Sequence, residues 1–273
     1  MSWMQKLYET YEACVGNPAY TDPPQPTEGP RECALMPECH ISQQGHIRIT
    51  INAEGEFVRA ELLPPKSQFV IPATEDSASR SSNVSPHPLC DKIRYCARDY
   101  TVGKKKSFYE AYAAQLQDWF ASEYSHPMAK AVLVYVTGHD LLKDLSTAGI
   151  LEQFKDARSK YAVKDEGDLV VVWTVLLPGE KEFDTDKNKG LQQAWINYDT
   201  VQMKKNNKGF CMVKGEETSV TNKHPRNIRC PGDGAKLISS NDSSNFTYRG
   251  RFIEPEQACT VSYEVSQTAP CAG

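Results

Sequence analysis

No stretch of this chain is apolar for long enough to cross a bilayer. Its longest apolar runs, Ala131 to Val136 and Leu169 to Trp173, fall far short of the roughly 20 residues that a spanning helix needs. The opening Met1-Ser2-Trp3-Met4-Gln5-Lys6 lacks the charged-then-apolar order of a secretory leader. A cytoplasmic protein with no membrane partner is therefore expected. Short paired cysteine spacings are missing too. The nine cysteines are odd in number and scattered, which argues against a secreted disulfide scaffold and for thiols buried as small hydrophobes. The one loose cluster, Cys33-x5-Cys39-His40 with His46 nearby, has no second close pair to complete a tetrahedron, so no metal and no cofactor is expected. In a cytosolic chain the Asn-x-Ser/Thr matches, including those at Asn83 and Asn245, carry no meaning. Also absent are the phosphate-binding glycine loop ending in Lys-Ser/Thr, the dinucleotide fingerprint, His-Glu-x-x-His and Gly-x-Ser-x-Gly. Cys90 with His87 is the only local nucleophile–base suggestion, and residues three apart around Pro88 rarely align for catalysis. Asp184 and Asp186 read as solvating a loop rather than holding Mg²⁺. No catalytic set emerges, and the chain is expected not to be an enzyme.

What is present fits a soluble α+β protein. The 273 residues suffice for one large or two modest domains, with 40% hydrophobic and 24% charged residues. Residues 2–14 read as an amphipathic helix: Trp3, Leu7 and Tyr11, with Met4 and Tyr8, mark a core-facing stripe, and Ser2 can cap it. The alternating His46–Asn52 segment is a strand, turning at Asn52-Ala53-Glu54-Gly55 into a second near Phe57–Leu62. Gln68–Pro72 can add a third. Thr74–Pro88 is Ser-rich and reads as a polar loop where two subdomains could part. Residues 105–124 form the clearest helix, with Phe108, Tyr112, Leu116, Trp119 and Phe120 on one face. A helix opening at Pro127 follows, then a helical stretch from Asp140 to Phe154 interrupted near Gly149. Asp168–Leu177 has the length of a buried strand, Gln192–Met203 is helical, and Phe210–Val213 is a short strand. The expected fold is thus a mixed α+β domain with an N-terminal helix, an antiparallel hairpin and several amphipathic helices.

The net charge is −4, so the chain as a whole is no polycationic glove. The distribution is uneven. From Lys204 to Lys236, the basic residues Lys204, Lys205, Lys208, Lys214, Lys223, Arg226, Arg229 and Lys236 face only Glu216, Glu217 and Asp233. That strip is +5 and leaves −9 for the rest. Such asymmetry suits a protein that meets a polyanion on one side, although a solvated lysine-rich loop has the same look.

Several segments carry a resemblance. They are Trp3-Met4-Gln5-Lys6-Leu7-Tyr8-Glu9-Thr10-Tyr11-Glu12; Pro86-His87-Pro88-Leu89-Cys90-Asp91-Lys92-Ile93-Arg94-Tyr95, with Arg98-Asp99-Tyr100; Phe210-Cys211-Met212-Val213-Lys214-Gly215-Glu216-Glu217, with His224-Pro225-Arg226-Asn227-Ile228; and Gly234-Ala235-Lys236-Leu237-Ile238-Ser239-Ser240-Asn241, with Phe246-Thr247-Tyr248-Arg249-Gly250. In this order and spacing, the chain resembles the front part of the large subunit of type I-C CRISPR surveillance complexes, from the start to about Gln267. The tail from Thr268 to Gly273 departs from the pattern, where family members continue into a helical bundle.

In such complexes the guide RNA reads the target by base pairing, while the protein finds a short flanking motif (the PAM) in duplex DNA and starts unwinding. The resemblance therefore implies a non-catalytic subunit. Its partners would be the guide RNA and the other complex subunits, double-stranded target DNA, and a separately recruited helicase-nuclease. It places the main DNA contact in the Gly232–Asn241 loop. There Gly232 and Gly234 would let the backbone approach, Lys236 hold a phosphate, and Ser239, Asn241 and Asn245 reach bases or sugars. Arg226, Arg229 and Arg249 would add charge, with Arg80, Ser81, Ser82 and Lys92 as a second contact. Relatives often carry Asn where this chain has Lys92, which weakens a base-reading role there. Lys104-Lys105-Lys106 reads as a solvated helix start. The rival readings are a decoy that occupies the large subunit's place, and an enzyme built on Cys90 with a distant base.

Overall fold

The computed structural model describes residues 2–17, 20, 35–80, 83–102, 106–205, 208–225, 234–238, 250–254, 257 and 259–268. The chain divides into two units: residues 41–198 form one, and residues 1–40 with 199–273 form the other. The division does not fall near 74–88.

In the 41–198 unit, the period-two pattern of β2 (Ile47–Asn52) sends Ile47, Ile49 and Ile51 fully inward. β2 is the middle of a three-stranded sheet. On one side it pairs antiparallel with β3 (Phe57–Leu62), Ile47 opposite Leu62, with a bulge at Thr50/Ile51. The Asn52 Oδ1 accepts from the amides of Glu54 and Glu56 at 3.1 and 2.7 Å and so closes the turn. Gly55 there has φ +80°, and a Cβ on it would lie 2.9 Å from the Ala131 carbonyl oxygen. On its other side β2 pairs parallel with β5 (Val171–Leu176), Ile49 opposite Trp173. Burial of Val171, Val172, Trp173 and Val175 explains that strand's unbroken apolar run. The third expected strand, β4 (Gln68–Pro72), forms, but it pairs with β1 (His40–Gln44) in a separate sheet.

Helices cover this sheet. α4 (Lys106–Phe120) buries Tyr112, Leu116 and Trp119, while Phe120, expected on the same face, is 38% exposed. α5 (Pro127–Gly138) starts with Pro127, and the His126 ring caps it by accepting from the Met128 amide. It packs on β2 and β5. α6 (Leu141–Thr147) and α7 (Ile150–Ala157) are separated at Gly149, φ +72°. α8 (Lys189–Met203) brings Trp195 edge-on to Trp119 at 5.0 Å. The boundary of the unit falls within α8.

The Ser-rich stretch is loop over residues 83–88, but its start is helical. Thr74 and Ser77 form a reciprocal capping box that starts α2 (Glu75–Ser79). After it, Arg80 turns inward to Asp91, just ahead of α3 (Ile93–Cys96). Both Arg80 guanidinium nitrogens donate to the carboxylate at 2.7 Å, and the amides of His87 and Lys92 donate to the same group at 2.7 Å. That clasp ties Arg80 to the His87–Lys92 segment.

The second unit begins with α1 (Trp3–Cys14), whose Ser2 hydroxyl accepts from the Gln5 amide. Met4 and Tyr11 are buried, and Leu7 and Tyr8 pack on the core, but Trp3 is 58% exposed and does not join the stripe. β6 (Lys208–Cys211), β7 (Glu216–Thr221) and β8 (Val261–Ser262) form an antiparallel sheet in that order. α9 (Tyr263–Thr268) follows β8 directly. Met4, Cys211, Ile238, Val261 and Val265 make the core. Among the described residues, no helix is long and apolar enough to cross a membrane.

Candidate nucleic-acid interface

The basic strip opens at the last turn of α8. Lys204 and Lys205 are exposed, as is Lys208 at the start of β6 and Lys223 beyond β7. Alternation puts Lys208 and Phe210 on one face of β6 and turns Cys211, fully buried, the other way. Phe210 is 58% exposed and Met212 54%. Ammonium groups interleaved with an exposed ring can follow a phosphate backbone and stack on bases.

Not every lysine counted in the strip faces out. Lys214 donates to Glu264 at 2.8 Å and lies 3.1 Å from Glu216. Its hydrogen bond to Glu264 leads in raising its ammonium pKa above the ordinary value. The other Glu264 oxygen accepts from the Tyr8 hydroxyl at 2.6 Å, which ties α1 to α9. Lys214 is thus a structural cation and leaves the strip less positive than its residue count. Lys236 is half-buried, and its charge adds to burial in pushing the His224 imidazole down to about 4. His224 sits 2.9 Å from the Ser266 hydroxyl. Gly234 has φ +68°, the left-handed backbone expected of a turn glycine.

Of the remaining residues expected at DNA, Gly232, Ser239, Asn241, Asn245, Arg249, Arg226, Arg229, Ser81 and Ser82 lie outside the described residues. So do Cys33, Lys104 and Lys105. Arg80 must be reassigned. Its guanidinium is committed to Asp91, whose side chain is fully buried, and stacks over Tyr95 at 4.9 Å. Burial alone would raise the Asp91 pKa, yet Arg80 and the amide donors hold it below the usual range. Lys92 lies 3.0 Å from Asp168, which also pairs with Arg94 at 2.6 Å. Most of the Pro86–Tyr95 segment that carried the resemblance is interior, so its sequence is dictated by packing.

The other chemical suggestions resolve similarly. The Cys90 thiol is fully buried 3.8 Å from the Thr185 hydroxyl, and burial pushes it up to about 12. Burial, then the Arg80 charge, push His87 down to about 3, and its Nδ1 has no hydrogen-bond partner. A thiolate–imidazolium pair is disfavoured at both ends. Asp184 and Asp186 pair with Arg48 at 2.5 and 3.4 Å instead of solvating a loop. His40 lies 2.7 Å from the Glu38 carbonyl, and His46 accepts from the Val170 amide at 3.0 Å. Among the described residues, no group of three or more His, Cys, Asp or Glu is arranged to hold a metal.

One feature was invisible in the sequence. A cavity of about 130 Å³ opens beside Lys204, lined by Glu38, by Thr200 of α8, by Thr218 and Ser219 of β7, and by Tyr263 and Glu264 of α9. Its walls come from segments far apart in the chain, so no spacing rule could have assembled them.

The exposed lysines and Phe210 of this α+β chain thus gather at the end of α8 and on β6. Sequence comparison is more specific: residues 7–272 match the family described as CRISPR-associated protein (Cas_Csd1), and the chain belongs to that family. No curated protein matches it.

Proposed function

We propose that this chain is the DNA-recognition subunit of a type I-C guide-RNA surveillance complex, non-catalytic itself, which finds the PAM in duplex DNA and starts unwinding. The observation that carries this reading is the exposed set Lys204 and Lys205 at the end of α8, with Lys208 and Phe210 on β6, in a CRISPR-associated protein. Lysine contacts to phosphate would supply affinity without sequence information. The base-reading residues would lie in the Gly232–Asn241 loop, and a complex partner would hold the guide RNA. Cleavage would belong to a recruited helicase-nuclease. The test is to add the purified chain to a surveillance complex lacking its large subunit. Restored binding to a PAM-containing duplex, and not to a PAM-mutant duplex, supports the reading. Occupancy of the complex without any gain in DNA binding rejects it.

A further inference from the structure

The cavity beside Lys204 has unused hydrogen-bonding capacity. Four half-buried groups in its lining, the Glu38 carboxyl and the hydroxyls of Thr200, Thr218 and Ser219, are not engaged in side-chain hydrogen bonds to other described residues. Their donors and acceptors are open to a polar guest. Size narrows the guest. A cavity of about 150 Å³ accepts benzene, so about 130 Å³ suits one ring and not a fused pair. Tyr263 and Met203 provide apolar wall, and exposed Lys204 stands at the rim, where a phosphate would lie if the ring belonged to a nucleotide.

We propose that this cavity receives one unstacked pyrimidine base, cytosine in preference to uracil or thymine, from a nucleic-acid strand whose backbone passes Lys204. The inference rests on the nucleic-acid-binding reading above. Cytosine offers an amino donor beside a ring-nitrogen acceptor, and a carboxyl is its natural partner. Threonine and serine hydroxyls can donate to its remaining carbonyl. Uracil and thymine can also form two bonds with a neutral carboxyl, through O4 and N3–H, but their carbonyl oxygen is a weaker acceptor for the acid proton than the cytosine ring nitrogen, so the cytosine pair is the stronger one. Protonation of Glu38 matters, because only the neutral acid can both accept from the amino group and donate to the ring nitrogen. Burial, then Glu264 of α9 and Glu12 of α1, push Glu38 up to about 7 against the opposing charge of Lys214. Lys204, Cys39 and Tyr263 are the other charged or titratable groups lining the cavity, and Tyr263 in turn donates to Asp199 at 2.6 Å.

The experiment measures binding of the full chain to short single strands of oligo-dC, oligo-dT, oligo-rC and oligo-rU, and to oligo-dC with a central abasic site. At pH 6 the cytosine strands should bind about tenfold tighter than their partners. That preference should fall about tenfold as the pH rises to 8, as Glu38 ionises. The larger of the dC and rC preferences identifies the strand as DNA or RNA. Glu38→Ala should abolish the preference. Glu38→Gln, which keeps a donor and an acceptor, should retain it and lose its pH dependence. A melt accompanies each variant, and if Glu38→Ala fails to fold, the pH profile of Glu38→Gln decides. Equal binding of all strands, abasic included, by a chain that still binds duplex overturns the cavity proposal alone. Binding of neither single strands nor duplex overturns the nucleic-acid reading and the cavity proposal with it.

Discussion

Three arginines of the 41–198 unit and three lysines of the other unit use their charge in opposite ways. Within residues 41–198, Arg48, Arg80 and Arg94 point inward and are consumed by Asp184, Asp186, Asp91 and Asp168. Around them lies an aromatic and β-branched interior containing Trp119, Trp173 and Trp195. The other unit packs a smaller core; there Lys214 is drawn into a carboxylate network and Lys6 pairs with Glu9 at 2.7 Å, while Lys204, Lys205 and Lys208 face solvent. A planar guanidinium suits a buried bidentate carboxylate, and an ammonium on a flexible stem suits an exposed phosphate. Partner geometry thus separates cations that hold the fold, Lys92 and Lys214 among them, from cations that face solvent. Charge counting alone cannot.

The sharpest way to break that comparison is to remove inward groups. Trp173→Ala takes away a fully buried ring and the hydrogen bond its indole donates to the Leu89 carbonyl at 2.9 Å. It should cost about 3–5 kcal/mol by urea unfolding. Arg80→Ala should cost a similar amount, about 3–5 kcal/mol, because Asp91 is left charged and buried without its partner. If Arg80→Ala instead leaves stability unchanged and weakens duplex binding, Arg80 belongs with the DNA contacts after all.

Acidification should produce the next largest effect. In the 41–198 unit, burial pushes His46 and His87 down to about 4 and about 3. These rings stay neutral in the folded state while the unfolded chain protonates below about 6.5. Their contribution is present above that pH and is lost as the pH falls toward the folded values, by up to about 1.4 kcal/mol per pH unit per histidine. Asp186, raised by burial, works against the loss. The other unit carries its own depressed histidines, His40 and His224, but opposes them with Glu38 at about 7 and Asp199 at about 6, both pushed up first by burial. Those carboxyls hold protons that the unfolded chain has released, so they add stability as the pH falls through that range. The larger unit should therefore be the more acid-sensitive. Three of the four tryptophans lie in it and Trp3 is exposed, so indole fluorescence reports mainly on that unit. Its urea midpoint should drop between pH 6.5 and 4.5, and a flat midpoint would contradict the histidine argument.

Much of this architecture was legible in the sequence wherever one periodicity dominated. The β2–β3 hairpin, the break at Gly149, the Pro127 helix start and the Ser2 cap follow from local patterning. The parallel pairing of β2 with β5 did not, because the partners are more than a hundred residues apart and both read simply as strands. The 74–88 stretch misled for a different reason. Its serines look like loop, yet Thr74 and Ser77 spend their hydroxyls on a helix cap, and Arg80 finds a carboxylate eleven residues ahead. Of the candidate site, the exposure of Lys204, Lys205 and Lys208 was readable, the inward turn of Lys214 was not, and the cavity required the fold.

The smallest effect on stability should accompany a large effect on binding. The triple variant Lys204→Ala, Lys205→Ala, Lys208→Ala removes exposed cations, of which only Lys205 makes a local bond, to the Gln202 side chain at 2.9 Å. Each exposed substitution should change stability by no more than about 0.5 kcal/mol. If each ammonium neutralises one phosphate, the variant should bind duplex more weakly at low salt, and the log–log salt slope should shrink by about 2.7. The weakening should be the same for PAM-correct and PAM-mutant duplexes, because phosphate contacts position a protein without reading sequence. The measurement is a fluorescence titration at several salt concentrations on the assembled complex, beside a thermal melt. An unchanged slope with a normal melt would move the electrostatic contact away from the end of α8 and β6. A lowered melting temperature would mean that these lysines, like Lys214, support the fold, and the division between inward and outward cations would have to be redrawn.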